Sequence, residues 1–382
     1  MDAGFFLDAL EESGVTFFTG VPDSYLHGFA DALAERVARD VVAANEGNAV
    51  GVAAGHFLAT GEVPLVYMQN SGLGNAVNPL ASLTCEGMLG VPMLLLIGWR
   101  GDPWHKDHAQ HALQGEATPK ILDALGIPSH VLRDDPATCA GLVSSVVEEA
   151  RRGQMPVAVL VPKGVLSGVK RPYGLGPCPL TREMAIAAVL DAAPAGAVFC
   201  ATTGRASREL YWLRELRGEG HGRDYLNVGS MGHASSVALG IALARPERRV
   251  VVFDGDAAVI MHMGSVAVEG ALRPPNLLRV VLNNGVHESV GGVASVGWDA
   301  DLTGVAAACG WATAGGPIST AAEIADAIHT LCSQGRPGFL DVRVSPGLRP
   351  GIPGLEVEPK EMRDSLMREL ADTDAKTSEE RN

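Results

Sequence analysis

Two carboxylates directly follow a predicted strand in the segment RRVVVFDGDAAVIMHMGS, residues Arg248–Ser265. The apolar run Val250–Phe253 predicts a buried strand, and Asp254 and Asp256 come next. Acidic residues at a strand end are a common way to hold Mg²⁺ near phosphate, because this ion prefers oxygen ligands. Two kinds of enzyme fit the pattern. In one, an aspartate attacks phosphorus as a nucleophile, and in the other an aspartate only holds the metal.

A second polar strand end follows 28 positions after Asp256. The run LLRVVL predicts the next strand, which ends in Asn283, Asn284 and Gly285, and the intervening residues 263–272 predict a helix. A strand–helix–strand unit brings both strand ends to one edge of a parallel sheet, where open α/β sheets bind ligands. One carboxylate, one amide oxygen and a backbone carbonyl there would form a set of oxygen ligands for Mg²⁺.

Three further segments carry polar or small residues at points where a strand meets a helix. Glu46 begins a run of small residues, EGNAVGVAAG, which predicts a helix whose dipole favours an acid at its start. The next strand leads into the glycine-rich turn NSGLGN, residues 70–75. In the second half, NVGSMGHASS places Met231 after Gly229 and Ser230, a pattern also typical of a loop before a helix with a core methionine.

In this order, the segments resemble the thiamine-diphosphate enzymes, whose cofactor signature is Gly-Asp-Gly followed at about this distance by Asn-Asn. The resemblance implies thiamine diphosphate and Mg²⁺ as cofactors, with Asp256, Asn284 and the carbonyl of Val286 as metal ligands. Ala257 departs from the signature, because it replaces the third glycine. If that position needs a positive φ, alanine is costly there, whereas a need for close backbone approach alone still leaves room for a methyl group.

The resemblance also implies roles for residues of both halves. Glu46 would hydrogen-bond the pyrimidine N1′ of the cofactor and activate it, and Met231 would hold the cofactor in its bent shape. The implied cofactor contacts are Glu46, Ser71, Gly72, Gly229, Ser230, Met231, Gly255, Asp256, Ala257, Ala258 and Asn284. In this family the cofactor lies between the first domain of one subunit and the second domain of its partner. A homodimer or a larger homo-oligomer is therefore expected.

The substrate class follows from the two-domain layout, which resembles decarboxylases of short 2-oxo acids that carry a second anionic group. The loop GWRGDPWHKDHAQH contains two candidate contacts for that anion, Arg100 and Lys106, and an arginine would bind it through two parallel hydrogen bonds. Loop cations are usually solvated, however, and Asp102 and Asp107 lie close enough in sequence to neutralise them.

Two residues are candidates for proton transfer during such a reaction. His111 is one of three histidines in the same loop, and an imidazole can give or take a proton near neutral pH. Asp23, in GVPDS, ends the first predicted strand and is open to two interpretations. It could face the substrate, or it could cap the helix that follows.

Two other classes of protein remain as alternatives. A phosphatase of the haloacid-dehalogenase type would use Asp254 as its nucleophile. Such enzymes favour Gly-Thr or Gly-Val after the motif, where this chain has Ala257 and Ala258, and they place the motif near the start of the domain. A dinucleotide-binding protein based on NSGLGNA is the weaker alternative, since no acidic residue ends the next strand.

The elements that must position these residues alternate between short β-rich runs and helical patterns through both halves. This alternation predicts an α/β protein with two domains, each a mostly parallel sheet flanked by helices, without a central domain. The expected domains are a pyrimidine-binding domain at residues 1–172 and a diphosphate- and Mg-binding domain at 173–366. The Pro- and Gly-rich residues 171–183 predict the linker, and the polar tail 367–382 predicts disorder.

The composition of the chain limits its expected binding partners and its expected cellular location. The net charge of −14 over 382 residues argues against nucleic acid or an anionic membrane as the main partner. No apolar run is long enough to span a membrane, and the acidic start of the chain is unlike a signal peptide. The six cysteines are scattered and predicted to be reduced. We therefore expect a cytoplasmic enzyme that acts on a small anionic 2-oxo acid.

Overall fold

The computed structural model describes residues 1–37, 40–168 and 178–379. The chain divides into two compact units. The first comprises Met1–Pro172 with His287–Val293, and the second comprises Tyr173–Val286 with Ala294–Asn382. The predicted domain boundary after residue 172 and most of the predicted linker lie outside the described residues.

The first unit contains a six-stranded parallel sheet in the order β2-β1-β3-β4-β6-β5. Its strands are β1 (Phe18–Gly20), β2 (Asp40–Val42), β3 (Leu65–Gln69), β4 (Met93–Gly98), β5 (Ser129–Val131) and β6 (Pro156–Val161). Its helices are α1 (Ala3–Glu12), α2 (His27–Arg36), α3 (Glu46–Thr60), α4 (Leu73–Pro79), α5 (Ala109–Ala124) and α6 (Pro136–Gly153), with a 3₁₀ turn at Asn70–Gly72 and a π turn at Leu80–Thr84. Strands β4 and β6 are buried along their whole length, as expected for central strands covered on both faces.

The second unit contains another six-stranded parallel sheet, in the order β13-β14-β10-β9-β7-β8. Its strands are β7 (Val198–Ala201), β8 (Asp224–Leu226), β9 (Val250–Gly255), β10 (Leu277–Asn283), β13 (Ala312–Thr313) and β14 (Gly338–Arg343). At the two ends of the segment His287–Val293, a separate two-stranded ribbon pairs β11 (Val286–His287) with β12 (Val293–Ala294). Its helices are α7 (Arg182–Ala192), α8 (Arg205–Leu216), α9 (Ala234–Ala244), α10 (Asp256–Met261), α11 (Gly264–Leu272), α12 (Leu302–Ala308), α13 (Ala321–Cys332) and α14 (Pro359–Glu379), with a 3₁₀ turn at Val296–Trp298. Another 3₁₀ turn, Glu288–Val290, lies in the segment His287–Val293, which is grouped with the first unit.

Apolar side chains cover both faces of each sheet. Along β4, Leu94 and Leu96 belong to one buried cluster, and Leu95 and Ile97 belong to another on the opposite face. Successive side chains of a strand point to opposite faces, so a continuous apolar run indicates helices on both sides. The predicted fold, two parallel sheets flanked by helices, is therefore confirmed.

The sequence also led to expectations about the tail of the chain and about membrane-spanning helices. Helix α14 continues to Glu379, so most of the tail for which the sequence predicts disorder is helical. Residues 380–382 lie outside the described part of the chain. None of the helices in the described residues combines the length and apolarity that a membrane crossing requires.

Candidate functional site

The carboxyl ends of β9 and β10 bring Asp256 and Asn284 together in the second unit. The two strands pair in parallel with Leu282 opposite Gly255, so the residues that follow them share one edge of the sheet. The carboxylate of Asp256 accepts hydrogen bonds from the backbone N–H groups of Ala257 and Asn284. Burial raises the pKa of this carboxyl to about 6.

The loop after β12 completes the surroundings of Asp256. The hydroxyl of Ser295 donates to Oδ2 of Asp256, and a Cβ on Gly297 would overlap the same carboxylate. The amide oxygen of Asn284 accepts from the N–H of Val286 at 3.1 Å. Within the described residues, no group of three His, Cys, Asp or Glu side chains could hold a metal. A carboxylate, an amide oxygen and a backbone carbonyl are nevertheless the oxygen donors that suit Mg²⁺.

Ala257 has an ordinary backbone conformation. It is the second residue of α10. Three non-glycine residues of the described chain have a positive φ, and Ala257 is not one of them; they are Gln154, Ser230 and Arg273. The position therefore requires no left-handed conformation, and the expected cost of replacing the signature glycine does not arise.

Asp254 lies inside the protein and has a charged partner. Its Oδ2 accepts a hydrogen bond from Nη2 of Arg279 at 2.7 Å, and Nη1 of the same arginine contacts Oε2 of Glu269 at 3.1 Å. All three side chains are fully buried. A phosphatase nucleophile must reach the phosphorus atom of its substrate, so this geometry argues against Asp254 in that role.

The predicted cofactor segment around Met231 forms a tight loop before α9. The side chain of Asn227 donates to the carbonyl of Ser230 at 3.2 Å and accepts from the N–H of Gly229 at 3.2 Å. Ser230 has φ 47°, an uncommon value for a residue other than glycine. Backbone strain of this kind clusters at functional sites. Met231 itself is half-buried.

Glu46 is the first residue of α3 in the first unit, and its side chain is buried. Its Oε2 accepts a hydrogen bond from the side-chain amide of Asn75 at 2.8 Å. Gly72, in the turn after β3, leaves the space that Oε1 occupies, because a Cβ there would overlap it. Burial raises the pKa of Glu46, and the Asn75 hydrogen bond opposes this change. The neighbouring Ser71 is exposed and accepts from Nε2 of Gln69 at 2.6 Å.

A cavity of about 640 Å³ opens within the first unit, and Arg100 and Lys106 both line it. The guanidinium of Arg100 is bound by the carboxylate of Asp107 through two hydrogen bonds of 2.7 and 2.6 Å. It also donates to the hydroxyl of Ser24 at 3.1 Å and lies over the ring of Tyr25. Burial is the largest single influence on the Asp107 carboxyl and raises its pKa. The hydrogen bonds and charge of Arg100, the N–H of His108 and the hydroxyl of Tyr25 together outweigh burial and hold this pKa below its usual range.

The two residues predicted for proton transfer are not among the lining residues of this cavity, but the charge of Arg100, which lines it, acts on the pKa of both. Asp23 is fully buried and accepts from the N–H of Tyr25 at 2.9 Å, and burial raises its pKa to about 6. It does not cap α2, because that helix begins at His27 with Leu26 as its N-cap. His111 lies in the first turn of α5, where burial and then the charge of Arg100 lower its pKa to about 4.

Several residues that shape these sites escaped the sequence analysis. Asn75 and Ser295 hold the two central carboxylates, but amides and hydroxyls are too common in loops for their types to single them out. Lys163, which also lines the cavity, follows β6 within VPKG. Its position after a buried strand was the one available signal.

Comparison with protein-family models identifies both units. Residues 3–123 match the thiamine pyrophosphate enzyme N-terminal TPP binding domain, and residues 203–342 match the C-terminal TPP binding domain. The chain therefore belongs to the thiamine pyrophosphate enzymes, and its cofactors are thiamine diphosphate and Mg²⁺.

Within that family, the chain is similar to decarboxylases of two kinds. The chain is 34% identical to a phosphonopyruvate decarboxylase of Streptomyces viridochromogenes, over 91% of this chain and 90% of that protein. It is also 34% identical to a phosphonopyruvate decarboxylase of Streptomyces hygroscopicus, with 93% and 90% covered. A sulfopyruvate decarboxylase of Methanosarcina acetivorans is 25% identical, with 93% and 94% covered.

Proposed function

We propose that the protein is a carbon–carbon lyase that decarboxylates 3-phosphonopyruvate to phosphonoacetaldehyde and CO₂ without oxidation. The observation that carries this proposal is the 34% identity to phosphonopyruvate decarboxylase over nine-tenths of both chains. The cationic side chains around the cavity of the first unit support an anionic substrate. This reaction would belong to the biosynthesis of phosphonate natural products, such as phosphonate antibiotics.

Decarboxylation of sulfopyruvate is the second candidate. It is supported by a 25% identical relative that is matched over 94% of its length. Both substrates would be 2-oxo acids that carry a tetrahedral anion on the same carbon, so the same cavity could admit either one. A phosphatase with Asp254 as nucleophile is disfavoured, because that carboxylate is buried against Arg279.

The residues of this chain divide the work in the following way. Bound thiamine diphosphate would supply an electron sink for the decarboxylation. Glu46, from its buried position at the start of α3, would hydrogen-bond the pyrimidine ring of the cofactor. Asp256, Asn284 and the carbonyl of Val286 would hold Mg²⁺. The remaining proposed cofactor contacts are Ser71, Gly72, Gly229, Ser230, Met231, Gly255, Ala257 and Ala258.

The first unit supplies the proposed substrate and proton-transfer groups. Arg100 and Lys106 line the cavity that would receive the anionic substrate. Asp23 and His111 are the candidates for proton transfer to the product. The pKa of Asp23, raised to about 6, leaves a protonated fraction near neutral pH, whereas the lowered pKa of His111 keeps this imidazole neutral.

We also infer that the chain works in the cytoplasm as a homodimer or larger homo-oligomer, as the family resemblance implies. Helix α3 exposes the small or apolar residues Gly51, Val52, Gly55 and Leu58, which suits a face for close helix packing. The six cysteines are free, in keeping with a reducing compartment.

The test compares decarboxylation of phosphonopyruvate, sulfopyruvate and pyruvate by the protein loaded with thiamine diphosphate and Mg²⁺. We expect the highest kcat/KM with phosphonopyruvate, and equal values for all three substrates would contradict the proposal. The variant Glu46→Gln should still bind the cofactor but release no CO₂, and full activity would contradict the role of Glu46. Glu148→Gln, at an exposed position of α6, is the matched control and should keep full activity.

A further inference from the structure

The cavity of the first unit lies where three parallel strands end. Ser24 follows β1, Arg100 follows β4 and Lys163 follows β6, and all three residues line the same space of about 640 Å³. Strands β4 and β6 are direct neighbours, with Gly98 opposite Val161. The residues after these two strands are therefore brought together by the sheet, although about 60 positions separate Arg100 from Lys163 in the chain.

The charge of Arg100 is compensated inside the protein. Asp107 binds its guanidinium through both carboxylate oxygens, and the hydroxyl of Tyr25 donates to Asp107 at 3.0 Å. The N–H of Gly101 donates to the same carboxylate at 3.0 Å. These hydrogen bonds hold the Arg100–Asp107 pair in a defined geometry. An incoming anion would have to compete with Asp107 for the guanidinium.

The two lysines that line the cavity have uncompensated charges. Neither the Lys106 nor the Lys163 ammonium has a hydrogen-bond or ion-pair partner in residues 1–37, 40–168 and 178–379, and both side chains are exposed. By contrast, Lys120 on α5 pairs with Glu116 at 2.6 Å. Once the Arg100–Asp107 pair is counted as neutral, the lysines contribute two positive charges to the cavity.

One buried carboxylate holds the backbone of both lysine segments in place. Asp102 is 4% exposed, and its Oδ1 accepts from the N–H groups of Trp104 and His105 at 2.9 and 3.1 Å, directly before Lys106. Its Oδ2 accepts from the N–H of Lys163 at 3.3 Å. The backbone segments that carry the two lysines are therefore attached to the same carboxylate, although they belong to different loops.

We propose that Lys106 and Lys163 together bind the tetrahedral anionic group of the substrate, and that Arg100 is a positioning residue that orders the cavity wall through Asp107. This inference rests on the proposed function and specifies its substrate site. Two ammonium groups match the charge of a phosphonate dianion, whereas a sulfonate carries a single negative charge. The pair therefore favours a phosphonate over a sulfonate.

The test measures substrate selectivity in the holoenzyme variants Lys106→Gln and Lys163→Gln. Each should raise KM for phosphonopyruvate about tenfold or more and leave the kinetic constants for pyruvate, which lacks the second anion, nearly unchanged. The exposed variant Lys120→Gln is the control and should behave as wild type. Arg100→Lys should lower kcat for pyruvate and phosphonopyruvate alike, because it disturbs the cavity wall that both substrates meet.

A binding measurement separates this inference from the proposed reaction. We expect phosphonoacetate, an inert phosphonate, to bind the wild-type holoenzyme in titration calorimetry and to bind each lysine variant about tenfold more weakly. Unchanged phosphonoacetate affinity and unchanged KM in both variants would overturn the lysine site, even if the wild type decarboxylates phosphonopyruvate. Conversely, loss of phosphonoacetate binding in the variants, with no CO₂ release from phosphonopyruvate by the wild type, would support the anion site and reject the reaction.

Discussion

The carboxylate of Glu46 occupies the space that Gly72 leaves open by having no side chain. A Cβ at Gly72 would overlap Oε1 and the carboxyl carbon of Glu46, while Asn75 holds Oε2 at 2.8 Å. The glycine-rich turn after β3 thus sets the position of the carboxylate at the start of α3. A turn that could have served only to reverse the chain also orients the residue proposed to activate the cofactor.

The first prediction concerns that contact. Gly72→Ala should displace the Glu46 carboxylate and lower kcat for CO₂ release about 10- to 100-fold, since small displacements of a catalytic group are costly. Cofactor binding should be largely retained, and steady-state kinetics with cofactor titration measures both quantities. Gly141→Ala is the matched control, because its added Cβ on α6 would meet no atom within 4 Å beyond its chain neighbours and the backbone of its own helix. Equal activity of the two variants would contradict the contact.

The second prediction concerns the departure from the family signature. Ala257→Gly restores the signature glycine, but Ala257 already has a helical backbone within α10. Glycine in a helix costs about 0.5–1 kcal/mol, so the variant should unfold at a slightly lower temperature and bind the cofactor with unchanged affinity. Ala322→Gly, at the second position of α13, is the control for the helix effect alone. Clearly tighter cofactor binding by Ala257→Gly would contradict our interpretation.

The third prediction concerns the pH dependence of stability. Burial raises the pKa of Asp23 from 3.8 to about 6, so the folded protein keeps this proton over a range where the unfolded chain has lost it. At pH values below both pKa values, Asp23 is protonated in the folded and the unfolded state, and its titration does not change the stability. As the pH rises from 3.8 to 6 the folded state is progressively destabilised, by up to about 3 kcal/mol.

Asp23→Asn removes this titration. The free energy of unfolding of the variant, relative to wild type, should therefore increase between pH 4.5 and pH 7. Chemical denaturation at several pH values measures the difference, and Asp123→Asn, at an exposed position of α5, is the control. A relative stability that stays constant with pH, or falls, would show that Asp23 is not a buried acid of raised pKa.

The fourth prediction concerns the buried arginine of β10. Arg279→Met removes the partner of both Asp254 and Glu269, which leaves two buried carboxylates without a compensating charge. The expected loss is about 3–5 kcal/mol in the free energy of unfolding. Arg133→Met, at an exposed position, should change stability little. Wild-type stability of Arg279→Met would mean that the ion pairs contribute nothing.

The sequence predicted the parts of the site that depend on strand ends. Asp256 and Asn284 each follow an apolar run, and parallel strands joined by a helix must end at one edge of the sheet, so their meeting could be foreseen. Glu46 could be identified through the family resemblance but not through its surroundings. The distinction between Asp254 and Asp256 as metal ligand also rested on that resemblance, and the buried Arg279 now gives it a physical basis.

The cavity could not be predicted in the same way. The charges of Arg100 and Asp107 were both visible in one loop, but whether they pair depends on side-chain directions that the order of residues does not specify. Lys163 carries no local motif, and it joins Lys106 only because β4 and β6 are neighbours and Asp102 binds both segments.

The sequence by itself determined the fold class, the family and the two polar strand ends that are proposed to hold the metal, because hydrophobic periodicity and short motifs are local properties of the chain. Only the tertiary structure decided that Ala257 is unstrained, that Gly72 makes room for Glu46, and that Arg100 is neutralised while two lysines are not. Those outcomes depend on which residues, distant in the sequence, come into contact, and strand order and side-chain packing decide those contacts.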